Sequence, residues 1–125
     1  MRFPGFSMDL GRHGENLARK FLEKKGFKLI ERNFKTPRWG EIDLVMKDGD
    51  TLVFVEVKTR SGPAAGLFGG PLGSINYHKM KSIQRVAKFY LYSKNLGDHP
   101  ARIDAVSVVI LESGEAEIEH FLNIT

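Results

Sequence analysis

The sequence of 125 residues contains no cysteine and no long apolar run. The absence of cysteine excludes disulfide scaffolds, thiolate zinc sites and cysteine nucleophiles. No apolar run approaches the roughly 20 residues that a membrane helix needs, and residues 1–11 lack the continuous apolar core of a signal peptide. We therefore expect a cytoplasmic protein that does not associate with a membrane.

Further absences narrow the possible functions. The sequence has no Walker loop and no nucleophile-elbow serine, and its four histidines show no metal-ligand spacing. Hydrophobic residues make up 42% and charged residues 27% of the chain, which argues against a mainly disordered protein. The length predicts one domain over residues 1–125, and we expect residues 1–8 to form a flexible N-terminal segment.

Charge is distributed in blocks along the chain. Residues 57–97 contain seven Lys and Arg and no acid, and residues 1–38 contain ten Lys and Arg against four acids. Between them, residues 39–56 contain five acids and one lysine. Divalent metals favour clustered carboxylates, whereas phosphate substrates favour surrounding cations. The alternative is that solvated faces of opposite charge are merely segregated.

Hydrophobic periodicity predicts the element order αβββαββ. Helical spacing indicates helices over Leu10–Lys25 and Asn76–Asn95. Alternation and turn residues indicate strands over Phe27–Phe34, Glu41–Lys47, Thr51–Thr59, Arg102–Leu111 and Ala116–Phe121. Because a helix joins the third and fourth strands, these two strands should be parallel. The predicted fold class is therefore α/β, with a mixed central sheet flanked by helices.

The turn at Asp48-Gly49-Asp50 predicts a hairpin of the second and third strands. If Gly49-Asp50 is the two-residue loop, Asp43 lies directly opposite Glu56; if Asp48-Gly49 is the loop, Asp43 is diagonal to it. Both registers place the two carboxylates on one strand face, with Cβ atoms roughly 4.5–8 Å apart. A loop of odd length without a bulge would break this relationship.

Lys58 follows Glu56 by two residues and shares its strand face, as does Glu41. A hard divalent cation such as Mg²⁺ would relieve the repulsion between Asp43 and Glu56 while keeping several waters. A lysine beside such a cation can orient a water nucleophile or neutralise charge that builds on a phosphate. A surface cluster of weak ion pairs is the alternative, but charges beside an apolar strand are costly without a use.

Several short motifs together resemble a known nuclease pattern. Gly40-Glu41-Ile42-Asp43, followed after twelve residues by Glu56-Val57-Lys58, resembles the PD-(D/E)xK signature. Four more segments extend the resemblance: Gly11-Arg12-His13-Gly14-Glu15, Arg32-Asn33, Val53 to Arg60, and Arg102-Ile103-Asp104. Together, these motifs resemble the small bacterial YraN-type family, which is similar to archaeal Holliday-junction resolvases of the restriction-endonuclease-like superfamily.

The resemblance implies a restriction-endonuclease-like fold and a metal-dependent nuclease. It implies that Asp43 and Glu56 bind Mg²⁺, or Mn²⁺, with the Val57 carbonyl as a further ligand. It also implies that Lys58 is the catalytic lysine and that Glu15 completes the site. From the residues alone, Glu15 is typical of an acid near a helix N-terminus. Many relatives have Pro-Asp where this sequence has Glu-Ile-Asp, but the retained Asp43 keeps the ligand.

Basic residues near these motifs are candidate phosphate contacts. Lys79, Lys81 and Arg85 lie on the second predicted helix, where no acid is available to pair with them, although a solvated face would look the same. Arg60 follows the lysine and could hold a phosphate or pair with a local carboxylate. The predicted function is hydrolysis of DNA phosphodiester bonds, selective for branched or junction DNA. The protein would recognise this DNA mainly by its shape.

Two other functions fit the same residues. One is a non-catalytic DNA-binding module on the same fold, and the other is a phosphatase or nucleotide hydrolase that uses the same metal chemistry. The basic second helix favours DNA over a small phosphate ester. Resolvase-like enzymes often act as symmetric dimers, so the analogy extends to a homodimer.

Overall fold

The computed structural model describes residues 6–62 and 75–125, and in them the element order is αβββαββ, as predicted. The helices are α1 (Phe6–Lys24) and α2 (Tyr77–Ser93), and the strands are β1 (Lys28–Thr36), β2 (Gly40–Asp48), β3 (Thr51–Ser61), β4 (Ala101–Ile110) and β5 (Ala116–Phe121). Helix α1 begins within residues 1–8, which were expected to be flexible, whereas residues 1–5 lie outside the described part. Most of the glycine-rich segment between β3 and α2 also lies outside it.

The strands form one sheet in the order β1-β2-β3-β4-β5. Strands β3 and β4 pair in parallel, and the other neighbours pair antiparallel. This confirms the mixed sheet and the parallel connection predicted from the helix between β3 and β4. The architecture is a mixed α/β fold, consistent with the restriction-endonuclease-like class. No helix of the described residues is long and apolar enough to cross a bilayer.

The β2–β3 hairpin has the first of the two predicted registers. Asp48 pairs with Thr51, which leaves Gly49-Asp50 as the loop. Gly49 has φ 61°, a left-handed conformation that the tight hairpin turns require. The hairpin loop therefore has an even number of residues, and this places Asp43 and Glu56 at corresponding positions of the two strands.

Strand β1 is longer than predicted at its C-terminal end. The predicted strand ended at Phe34, but Lys35 and Thr36 also pair, with Glu41 and Gly40 of β2. The Thr36 hydroxyl extends this pairing, because it donates to the Gly40 carbonyl at 3.1 Å. The missing N–H of proline therefore ends the strand only at residue 37.

The helices pack on opposite faces of the sheet, so the domain has three layers. Alternation along β3 directs Val53 and Val55 to the α1 side and Leu52 and Phe54 to the α2 side. Each side contains a buried apolar cluster: the α1 side includes Ala18, Leu22, Leu44, Met46, Val106 and Val108, and the α2 side includes Ile42, Val45, Ile83, Val86, Tyr90 and Ile103. The apolar stripe predicted for each helix is thus the surface that it buries.

Candidate active site

The hairpin ladder ends where the candidate acids lie. Paired residues of β2 and β3 run from Asp48 and Thr51 to Leu44 and Val55. One position further on, the Asp43 carboxylate accepts a hydrogen bond from the Val57 N–H, with Oδ2 at 2.8 Å from the nitrogen. The side chain of Asp43 thereby takes the place of a backbone partner and is held against β3 beside Glu56.

Strand β2 also twists at Asp43. Residues two apart on a strand normally share a face, yet Ile42 lies in the α2-side cluster and Leu44 lies in the α1-side cluster. The opposing strand β1 is distorted nearby, because Asn33 has a left-handed φ of 51°. At this point of the sheet, groups from both helical layers can therefore approach the same carboxylates.

Asp43 and Glu56 interact strongly. Burial, followed by the charge of Glu56, raises the pKa of Asp43 to about 8 despite the hydrogen bond from Val57. Burial also raises the pKa of Glu56, although the Lys79 ammonium and a hydrogen bond from Asp43 favour its charged form. Near neutral pH the pair therefore holds a proton on Asp43, which donates to the Glu56 carboxylate.

Two more acids extend this pair into what we call the acidic cluster, formed by Glu15, Glu41, Asp43 and Glu56. The charges of Glu15 and Glu41 both raise the pKa of Asp43. The Asn33 amide links these two outer acids, because its Nδ2 lies 3.3 Å from Glu15 Oε1 and 3.4 Å from Glu41 Oε2. Helix α1 thus contributes Glu15 to the cluster, where the family resemblance implied it.

A glycine allows α1 to come this close to the sheet. Gly14 is buried, and a Cβ at this position would overlap the side chain of Thr59 on β3. Glu15 follows Gly14 directly, so the close approach of the helix also sets the position of the Glu15 carboxylate. The sequence carries no local signal of this role of Gly14, because its neighbour on β3 is distant in the chain.

Lys58 lies beyond the acid pair on β3 and is half-buried. Within residues 6–62 and 75–125, no ion pair joins its ammonium to Asp43 or Glu56. Its catalytic role, like that of the Val57 carbonyl as a ligand, remains a prediction. Arg60 lies two residues further along β3, in parallel register with Val109.

Lys79 is the cation that does contact the acid pair. Its Nζ lies 3.1 Å from Glu56 Oε2, and the Asn76 side chain caps α2 by accepting the Lys79 N–H at 2.9 Å. From the sequence, Lys79, Lys81 and Arg85 were all predicted as phosphate contacts, since the helix contains no acid. All three are exposed, but among the described residues the structure pairs Lys79, and not Lys81 or Arg85, with Glu56.

The residues present fit a hard divalent cation held by two protein carboxylates. In the described part of the chain, no group of three or more His, Cys, Asp or Glu side chains is placed to hold a metal ion. Asp43 and Glu56 would offer two carboxylate ligands, and Mg²⁺ can bind through one or two carboxylates while it keeps several of its waters. The additional negative charge of Glu15 and Glu41 favours any cation at this place.

Comparison with known proteins identifies the family. The model of the Uncharacterised protein family UPF0102 matches residues 14–108, and this chain belongs to that family. A UPF0102 protein of Beutenbergia cavernae is 40% identical over 92% of this chain and 94% of its own length. One of Syntrophomonas wolfei is 41% identical over 92% and 96%, and one of Thermotoga petrophila is 42% identical over 90% and 94%. The resemblance to a small bacterial family is thereby confirmed.

Proposed function

We propose that this UPF0102 protein is a divalent-metal-dependent nuclease that hydrolyses DNA phosphodiester bonds, with a preference for branched or junction DNA. The observation that supports this most is the close pairing of Asp43 and Glu56 where the β2–β3 ladder ends. Burying two adjacent carboxylates is costly unless a cation or a reaction uses them. The Gly49-Asp50 loop already determines the register of the hairpin, so the hairpin does not require a second carboxylate at Glu56.

In this proposal the residues of the acidic cluster have separate roles. Asp43 and Glu56 would hold Mg²⁺ or Mn²⁺, and the Val57 backbone would keep the Asp43 carboxylate oriented through its N–H. When bound, such a cation would neutralise charge on the scissile phosphate and make a coordinated water more acidic. Lys58 would extend from the same strand to orient a water or stabilise charge on the phosphate. Glu15 would complete the site from α1.

The partner would be held mainly through its phosphates. Lys81 and Arg85 are exposed on α2, and Arg60 lies on β3 beyond the proposed site. Contacts of this kind do not read the base sequence, so they favour recognition by shape. They also make affinity fall as the salt concentration rises. A protein with this activity would meet its DNA in the bacterial cytoplasm, where we place it.

The test is cleavage of labelled DNA by highly purified protein. Duplex, single-stranded, flap and four-way substrates should be incubated with Mg²⁺, Mn²⁺ or EDTA. We expect metal-dependent cleavage, strongest on a branched substrate, and a loss of about a hundredfold or more in Asp43→Asn and Lys58→Ala. Asp98→Asn and Lys28→Ala are matched controls, because both positions are exposed and lie outside the acidic cluster.

Two results would contradict the proposal in different ways. Cleavage at the wild-type rate in both site variants would mean that a contaminant or another site is responsible. Salt-sensitive DNA binding without cleavage under any metal condition would favour the non-catalytic binding module. Paired cuts across a four-way junction would require two copies of the chain, so the mass of the junction complex in sedimentation tests the proposed homodimer.

A further inference from the structure

The solvent side of α2 carries a stripe of basic and aromatic residues. An α-helix turns by about 100° per residue, so the spacing of these basic and aromatic residues places all of them within an arc of about 80° around the helix axis. The centre of this arc lies opposite the side of the helix that packs on the sheet. The buried side of the helix is formed by Ile83, Val86, Ala87 and Tyr90. We call the exposed residues the outer stripe; they are Tyr77, Lys81, Arg85, Lys88 and Tyr92.

The outer stripe exposes two aromatic rings to solvent. Tyr77 is 70% exposed and Tyr92 is 80% exposed, and these are the largest exposures among the large hydrophobic residues of the described chain. A tyrosine that only stabilised the fold would bury its ring against the sheet, as Tyr90 does at 3% exposure. Two open rings on one helical stripe therefore provide binding surface that the fold leaves unused.

The charge of the outer stripe is of one sign. Lys81, Arg85 and Lys88 lie between the two tyrosines, and α2 contains no acidic residue. A cavity of about 440 Å³ opens beside its N-terminal half, lined by these cations and Tyr77 among others. The Lys81 ammonium lies 5.5 Å from the centre of the Tyr77 ring, so charge and π-surface are adjacent. The chemistry complementary to this surface is anionic and contains flat aromatic groups.

A nucleic-acid strand with unpaired bases combines these two properties. Its phosphates bind cations, and each base has a face that stacks on an aromatic ring, whereas a duplex keeps its bases stacked inside. Tyr77 and Tyr92 are 15 residues apart, which corresponds to about 22 Å along a helix. At the 3.4 Å per nucleotide of a stacked strand this length corresponds to about six nucleotides, and a strand whose bases are drawn apart spans it with fewer.

The outer stripe begins beside the acidic cluster. Lys79, in the first turn of the same helix, contacts Glu56 at 3.1 Å, and Tyr77 precedes it by two residues. We propose that the outer stripe of α2 binds a single-stranded DNA segment of up to about six nucleotides, with Tyr77 and Tyr92 stacking on bases and the three cations contacting phosphates. This inference rests on the proposed function for the identity of the partner, and it specifies branched DNA with an unpaired arm.

The experiment compares two strands that differ only in their bases. Fluorescence anisotropy in EDTA would measure binding of a thymidine 12-mer and of an abasic 12-mer with the same number of phosphates. In the double variant Tyr77→Ser and Tyr92→Ser, we expect affinity for the thymidine strand to fall about fivefold or more, with no change for the abasic strand. Because both positions are exposed, the variant should fold, and thermal unfolding would verify this.

Two further variants separate stacking from charge. Tyr77→Phe with Tyr92→Phe keeps both rings and should bind the thymidine strand like the wild type. Lys81→Gln removes one phosphate contact, so it should weaken binding of both strands. It should also reduce the slope of the logarithm of affinity against the logarithm of salt concentration by about 0.7. Lys20→Gln, an exposed lysine on α1, is the control for net charge.

The outcomes distinguish this inference from the function on which it rests. Suppose that the wild type binds four-way or duplex DNA while the Tyr77→Ser and Tyr92→Ser double variant binds the thymidine and abasic 12-mers with wild-type affinity. In that case the outer stripe does not stack on bases and the inference is wrong. If the wild type binds no DNA at low salt, the proposed function fails and the inference fails with it. Tighter binding of a uridine 12-mer than of the thymidine strand would overturn the assignment to DNA.

Discussion

Lys79 Nζ lies 3.1 Å from Glu56 Oε2, so a cation carried by α2 is already paired with one of the two central carboxylates. The Glu56 side chain is only 11% exposed, whereas that of Lys79 is 46% exposed. The lysine can therefore withdraw to solvent at small cost, but the carboxylate cannot. Lys79 is in the position of an internal counter-ion that any divalent cation arriving at Glu56 has to displace.

Removing this counter-ion should strengthen metal binding. We expect Lys79→Gln to bind Mn²⁺ up to about fivefold more tightly than the wild type, which corresponds to the roughly 1 kcal/mol of a partly exposed ion pair. Isothermal titration calorimetry at low ionic strength measures this. Lys81→Gln has the same charge change on the same helix and should bind like the wild type, as should Lys79→Arg. Unchanged or weaker binding by Lys79→Gln would show that the ion pair does not compete with the metal.

The affinity for metal should also depend on pH through Asp43. Burial and the charge of Glu56 raise the pKa of Asp43 to about 8, so below that pH a metal has to displace its proton. We expect Mn²⁺ affinity to rise by at most about tenfold per pH unit from pH 6 and to level off above about pH 8. Calorimetry in buffers of different ionisation enthalpy would count the released proton. An affinity independent of pH from 6 to 9 would contradict the assignment of Asp43 as a ligand.

The same group should destabilise the metal-free protein at high pH. Its folded-state pKa lies above the ordinary value of 3.8, so the folded state binds the proton more tightly and stability falls as pH rises toward about 8. At pH 9 in EDTA, Asp43→Asn should unfold with a free energy more than about 1.4 kcal/mol higher than the wild type. Urea unfolding at pH 5 and pH 9 tests this. The exposed Asp98→Asn should show no such gain.

Gly14→Ala should destabilise the protein although alanine favours helices. Its Cβ would overlap Thr59, and overpacking of this kind costs about 1–3 kcal/mol. Gly11→Ala, in the same helix with no atom near its Cβ, should instead stabilise by up to about 1 kcal/mol. Adding Thr59→Ala to Gly14→Ala should recover part of the loss in urea unfolding. Equal effects of the two glycine substitutions would show that α1 does not depend on this contact.

A buried network around Asp104 should make stability depend on acid. Burial by itself would raise the pKa of Asp104, but hydrogen bonds from Arg102, the Asn123 N–H and His120 outweigh it and lower the pKa below its usual value. These bonds are short, with Arg102 Nε at 2.9 Å and His120 Nε2 at 2.8 Å from the carboxylate. The stability that they contribute is present above about pH 4 and is lost as pH falls through the lowered pKa.

Asp104→Asn tests this network. It should cost about 2 kcal/mol or more at pH 7, because Arg102 and His120 lose the charge of a fully buried carboxylate, although Arg102 keeps its pairing with Asp48 at 3.2 Å. The wild type should then lose its advantage over the variant as pH is lowered from 5 to 2. Urea unfolding across this range is the measurement, with Asp98→Asn as the exposed control. A constant difference between wild type and variant down to pH 2 would contradict the role of the Asp104 charge.

Periodicity predicted most of the fold because each element buries a face that its own sequence defines. Alternation along β3 and helical spacing along α2 are local properties, and the structure confirms both. The Asp43–Glu56 proximity followed from hairpin parity, which the two turn residues determine. Alternation was a poor guide at Asp43 itself, where β2 twists and β1 contains a left-handed Asn33.

Contacts between elements distant in the chain were not predictable in the same way. The pairing of Lys79 with Glu56 and the packing of Gly14 on Thr59 carry no local signal, because neither residue pair shares a turn, a helix face or a strand. Glu15 came to the site only through the family resemblance. Trp39 likewise makes a T-shaped contact with Phe89 of α2, with ring centres 6.0 Å apart, across a long separation in the chain.

The order of elements and the nearness of two acids followed from the sequence alone, because short-range hydrophobic patterning and turn chemistry act between neighbours in the chain, whereas the structure decided between the two hairpin registers. Only the tertiary structure decided which cation faces those acids, since α1 and α2 approach them from opposite layers of the sheet. It also brought Lys79, rather than Lys81 or Arg85, to Glu56, because packing of the helix on β2 and β3 determines how the helix is rotated.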